Sequence, residues 1–186
     1  MQYPEQYRAE LLNALKSTDF SAVEEILELF REARARGRCI FVCGTDSNAI
    51  AASRLLCDMV RSSNLNRTTK FRIFTFSDER PAMAGASDDL QSEHALVDEL
   101  RNVASPGDVI VGISASGNSR SLVEVFEYAN SIGCRTICIA GPPGNKLAAI
   151  SDSAILVPAS HLGNIEDAHI IVCRMIGHYF LNFNQD

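Results

Sequence analysis

Five short apolar runs, at 38–43, 70–76, 108–113, 135–140 and 154–158, recur along the 186-residue chain, each followed by an amphipathic segment. Runs of this length rich in β-branched residues suit buried strands, and the segments 48–62, 90–104, 119–132, 145–151 and 164–182 repeat apolar residues at helical spacing. Their alternation predicts a parallel sheet joined by crossover helices. Upstream, "PEQYRAELLNALK" and "DFSAVEEILELFREARARG" read as two helices, the second carrying Phe20, Val23, Ile26, Leu27 and Phe30 on one face and stopped by Gly37. The expected architecture is a three-layer α/β/α sandwich with a five-stranded parallel sheet. An N-terminal helical pair (1–37) precedes the main domain (38–186).

With 46% hydrophobic residues the chain has material for a proper core. The apolar face of the helical pair is expected to exceed what so short a chain can cover. Leu11, Leu12, Leu15, Val23, Ile26, Leu27 and Phe30 are therefore placed at a subunit interface of a homodimer or homotetramer. A net charge of −6 without any basic block argues against direct nucleic-acid or membrane-surface binding. No apolar stretch is long enough to span a bilayer and the N-terminus has no signal-peptide core, so the chain reads as cytoplasmic. Its six cysteines form no CxxC pair and are expected to be buried, reduced thiols.

Right-handed crossovers bring the loops at the carboxyl ends of the strands to one edge of the sheet. Two such loops lead straight into a helix, "GTDSN" after the first strand and "SASGNSRSL" after the third. In the second, Ser114, Ser116, Gly117, Asn118 and Ser119 combine short hydroxyls with a glycine at a helix start, which is the donor inventory of an anion site. The competing account is an ordinary helix cap by Ser116 or Ser119 with nothing bound. Dinucleotide binding lacks its GxGxxG, and a P-loop lacks its GxxxxGK[ST]. A small phosphorylated ligand remains.

"GDVIVGISASGNSRSLVEVFEYANSIGCRTICIAG" resembles the central motif of sugar isomerase (SIS) domains, and "NIEDAHIIVCRMIGHYFLN" resembles the closing helix of their phosphoheptose isomerase branch. The resemblance covers nearly the whole chain and implies a flavodoxin-like sheet with a sugar phosphate as ligand. It assigns the phosphate to Ser114, Ser116 and Ser119 with the backbone at Gly117 and Asn118, and gives supporting donors at Thr45, Ser47 and Asn48.

The chain departs from that family where chemistry is done. The family's first loop reads G-N-G-G-S, and here Asp46 adds a carboxylate. A family His and Glu on the next helix correspond to Arg54 and Asp58, and a Gln and catalytic His on the last helix correspond to Glu166 and Arg174. Arginine stays protonated and serves as neither base nor metal ligand. The zinc that some members use therefore has no donor set, and neither metal nor cofactor is expected.

Arg54, Asp58, Glu166 and Arg174 are expected to converge as an ion-pair cluster in place of the catalytic site, the alternative being separate solvated charges. Rescue of catalysis would fall to Asp58 as base or to His169 and His178 as imidazoles. Asp88 and Asp89 read as the cap of helix 90–104. The functional expectation is a phosphosugar-binding protein without isomerase chemistry, regulatory or scaffolding; the alternative is an active isomerase of sedoheptulose 7-phosphate or a related ketose phosphate.

Overall fold

The computed structural model describes residues 2–63, 69–77 and 94–183. In chain order its elements are α1 (Tyr3–Ser17), α2 (Ser21–Ala35), β1 (Cys39–Gly44), α3 (Asn48–Ser63), β2 (Arg72–Ser77) and α4 (Ala95–Val103). They continue with β3 (Val109–Ser114), α5 (Arg120–Ser131), β4 (Arg135–Ala140), α6 (Lys146–Ala149), β5 (Ser153–Leu156) and α7 (Leu162–Asn182). The strands form one parallel sheet in the order β2-β1-β3-β4-β5. This is the flavodoxin-like arrangement, in which successive crossovers change direction between β1 and β3.

Alternation along each strand sorts the core into two layers. Val109, Val111 and Ile113 of β3 face a cluster built with α2, α3 and α7, whereas Ile110 faces one built with α4, α5 and α6. Strands buried on both faces must be apolar throughout, which is why β1 and β3 are continuous apolar runs.

The helical pair divides. Ile26, Leu27 and Phe30 of α2 are buried in the sheet's own core, with Val23 packed against it, and Phe30 stacks on Phe180 of α7. The expectation that this face needs a second subunit is thus corrected: the 21-residue α7 returns alongside and supplies the missing cover. Helix α1 lies outside, against α7, with Leu11 and Leu15 half-buried and Leu12 51% exposed. Tyr7 donates to Asp167 at 2.8 Å, a bond that pushes the phenol up to about 12, and Asn164 donates to Glu10 at 3.2 Å.

The helix expected over 145–151 is a single turn, and the last helix begins at Leu162 rather than 164, running through Gly163. Asp88 and Asp89, the expected cap, lie outside the described residues. Cys39, Cys43, Cys134, Cys138 and Cys173 are buried, but Cys57 is exposed on α3, against the expectation that all six are buried. No helix among the described residues is long and apolar enough to cross a membrane.

Candidate functional site

A crevice of about 720 Å³ opens at the carboxyl edge of the sheet, where the crossover direction changes. One wall is the loop after β3, contributing Ser114, Ser116, Asn118 and Ser119; Thr45 and Asp46 come from the loop after β1. Sequence reasoning missed the third wall, formed by Pro142 after β4 and by Ser160, Leu162 and Ile165 around the start of α7. The signal was position alone, since both segments follow strands that end at the same edge.

The serine loop is shaped by its own hydrogen bonds. Ser114 is buried and its Oγ accepts the Gly117 N–H at 3.2 Å; Ser116 Oγ accepts the Asn118 N–H at 3.1 Å. Gly117 has a left-handed φ of 62°, and a Cβ there would stand 2.3 Å from Asn145 Cγ. Asn145, also missed from sequence, holds that close approach. It donates to the Pro142 carbonyl and accepts from the Ala148 N–H, both at 2.9 Å. Asn118 Oδ1 accepts the Lys146 N–H at 3.0 Å, and the Gly117 carbonyl accepts the Leu147 N–H at 2.9 Å. The loop is thus braced against the β4–α6 connection.

Helix α5 begins without a side-chain cap. Ser119 sits at the N-cap position, but its hydroxyl pairs with that of Ser121 at 3.0 Å. Neither Ser116 nor Ser119 makes the capping bond that competed with an anion-site reading.

The first loop is drawn toward α7. A Cβ on Gly44 would lie 2.5 Å from the Asn48 carbonyl, so only glycine lets α3 start so close above β1. Thr45 is buried on the crevice wall. Ser47 and Asn48 are not on that wall: the Ser47 hydroxyl donates to Glu166, and the Asn48 Oδ1 lies 2.8 Å from His169 Nδ1. His169 is fully buried, and burial lowers its imidazole to about 4 against a small opposing effect of the Ala140 backbone. It is therefore neutral at pH 7 and donates its Nδ1–H to Asn48.

Of Arg54, Asp58, Glu166 and Arg174, three meet. Arg54 Nε donates to Asp58 Oδ2 at 2.9 Å while its Nη2 bonds Oδ1, and Arg174 Nη1 lies 3.9 Å from Oδ2. Asp58 is fully buried between α3 and α7, where a Cβ on Gly177 would stand only 2.5 Å from Asp58 Cβ. Burial raises its carboxyl pKa, but the Arg54 hydrogen bonds, with the charges of Arg54, His178 and Arg174, outweigh burial and hold it below the usual range. Glu166 is committed to Ser47 instead, and none of the four lines the crevice. His178 is exposed on α7 and likewise outside it.

The sequence profile of the SIS domain matches residues 2–141. The chain belongs to the SIS-domain family. It is 27% identical over 154 residues to a phosphoheptose isomerase of Akkermansia muciniphila, covering 83% of this chain and 81% of that protein. It is 31% identical over 147 residues to a phosphoheptose isomerase of a Nitratiruptor species, covering 79% and 76%. Its fold is similar to that of a phosphoheptose isomerase structure from Neisseria gonorrhoeae, with a TM-score of 0.79 at 23% identity over 95% of each chain.

Arg54, Asp58, Glu166 and Arg174 do not fit a metal site. Two of the four positions are guanidiniums, Asp58 is saturated by them, and Glu166 stands apart with Ser47. Among the described residues no group of three His, Cys, Asp or Glu side chains is placed to hold a metal.

Proposed function

We propose that this SIS domain binds a phosphorylated sugar in the crevice and does not isomerise it. Phosphate binding draws support from the uncapped start of α5, the Ser114 and Ser116 hydroxyls, and the left-handed Gly117 that turns the backbone there. The absence of isomerase chemistry rests on one observation: among the described residues of the wall, Asp46 is the only titratable side chain. Moving a proton between adjacent carbons through an enediol takes an acid and a base within hydrogen-bond reach of the sugar. Asp58 is clamped by Arg54, and His169 is buried and committed to Asn48.

The second reading is an active isomerase of sedoheptulose 7-phosphate or a related sugar phosphate, favoured by the relatives named phosphoheptose isomerase. Phosphorus NMR of sedoheptulose 7-phosphate mixed with the protein separates the two. Line broadening without a new resonance is expected; a growing product peak would establish the isomerase. Exposed Ile50 and Val60 on α3 and Met175 on α7 support assembly as a homodimer or homotetramer. A monomeric mass by light scattering at neutral pH would contradict that assembly.

A further inference from the structure

One residue of the crevice wall is unsuited to a phosphate. We propose that Asp46 is the specificity-determining residue of the site, accepting hydrogen bonds from the hydroxyls of the sugar while the serine loop holds its phosphate. The inference rests on the crevice being a phosphosugar site.

Carboxylate oxygens accept hydrogen bonds, so on the crevice wall Asp46 is suited to a ligand's hydroxyl donors and not to a phosphate. The described residues of the wall include no lysine, arginine or histidine to neutralise it. Asp46 is exposed there, so its carboxylate is open to donors that a ligand brings. A sugar phosphate presents both halves of this polarity, an anion at one end and a row of O–H donors along the chain.

The loop holds Asp46 in place. Its φ of 51° makes it the only non-glycine residue at positive φ among the described residues, in a region that aspartate tolerates better than most side chains. Thr45 before it donates its N–H to the Ile113 carbonyl at 3.3 Å. The two residues after it are tied to α7 through Ser47–Glu166 and Asn48–His169. Glycine would adopt this backbone without steric cost. What aspartate adds is the carboxylate.

The test is calorimetric titration of sedoheptulose 7-phosphate and, separately, of inorganic phosphate into the wild type, Asp46→Gly and Asp46→Asn, with EDTA present throughout. Glycine relieves the backbone, so folding is not at risk. Asp46→Gly is expected to weaken sugar-phosphate binding about tenfold or more, since it removes charge-assisted hydrogen bonds. It should leave inorganic phosphate unchanged or severalfold tighter, since a repelling charge is gone. Asp46→Asn, which keeps one acceptor, should fall between. Equal or tighter sugar-phosphate binding by Asp46→Gly would overturn the inference, as would wild-type binding that appears only when magnesium replaces EDTA. Wild type that binds inorganic phosphate but not the sugar phosphate overturns the role of Asp46 and leaves the phosphate site standing. Wild type that binds neither overturns the phosphosugar reading itself.

Discussion

Replacing Gly117 by alanine should damage the serine loop through one identifiable contact. At φ 62° a side chain is forced into the left-handed region, at a cost of ~1–2 kcal/mol. The added Cβ would also fall 2.3 Å from Asn145 Cγ and 2.4 Å from its Oδ1. Asn145 is 4% exposed and held at both ends of its amide, by the Pro142 carbonyl and the Ala148 N–H, so it cannot swing away without losing those bonds. At ~1 kcal/mol for each hydrogen bond lost, the displaced amide adds ~2 kcal/mol. Gly117→Ala should therefore lower the unfolding free energy by ~3–4 kcal/mol. On an Asn145→Gly background Cγ, Oδ1 and Cβ are all gone, so the clash is absent and only the backbone cost of ~1–2 kcal/mol remains. Urea unfolding of the four proteins of this double-mutant cycle measures both quantities. An equal loss in the two backgrounds would refute the steric argument and leave the backbone conformation as the whole effect.

Two further predictions concern acid. His169 is lowered from 6.5 to about 4 in the folded protein, so between those values the unfolded chain binds the extra proton and stability falls as pH falls. The loss across that window should reach ~3 kcal/mol and should be absent in His169→Asn, which keeps a donor near the Nδ1 position but does not titrate. Urea unfolding from pH 4 to 7 with equal slopes for both proteins would show that His169 is not buried as a neutral ring. Asp58 is shifted the other way: its contribution is present above the unfolded carboxylate value and is lost as pH falls through the depressed folded value. Asp58→Asn should cost ~2 kcal/mol at neutral pH, because a buried ion pair with a partly exposed arginine loses its charge, and should flatten the decline below pH ~4. An unchanged urea midpoint would mean that Asp58 and the arginines are not coupled in solution.

Much of the fold was legible because its signals are local. β1, β3 and β4 lie within one residue of their expected bounds, since strands buried on both faces must be unbroken apolar runs and are cut off by polar or glycine residues at each end. The start of α7 was missed because Gly163 reads as a break, although it sits within the first turn. The serine loop was legible as a donor-rich helix start. Its brace was not, because Asn145 looks like an ordinary cap for the turn that follows, which it also is.

The first loop shows where local reading ends. Ser47 and Asn48 look like phosphate ligands beside Thr45, since all three are short polar residues before a helix. Their side chains instead turn to Glu166 and His169, 119 and 121 residues further along the chain. The convergence of Arg54, Asp58 and Arg174 follows from which faces of α3 and α7 meet at Gly177, and Glu166 is excluded because it meets α3 nearer its start. The same distant helix decided whether α2 is covered within the chain.

Strand and helix alternation and the donor-rich loop could be read from the amino-acid order, because each is encoded in neighbouring residues through periodicity, turn chemistry and hydrogen-bonding inventory, and the family through the resemblance of two motifs. It took the folded chain to show that Asp58 is clamped, that His169 is a buried neutral donor and that Asp46 alone of the titratable side chains stands on the described crevice wall. Those outcomes depend on burial and on contacts made by α7, and neither is a property of any short stretch of chain.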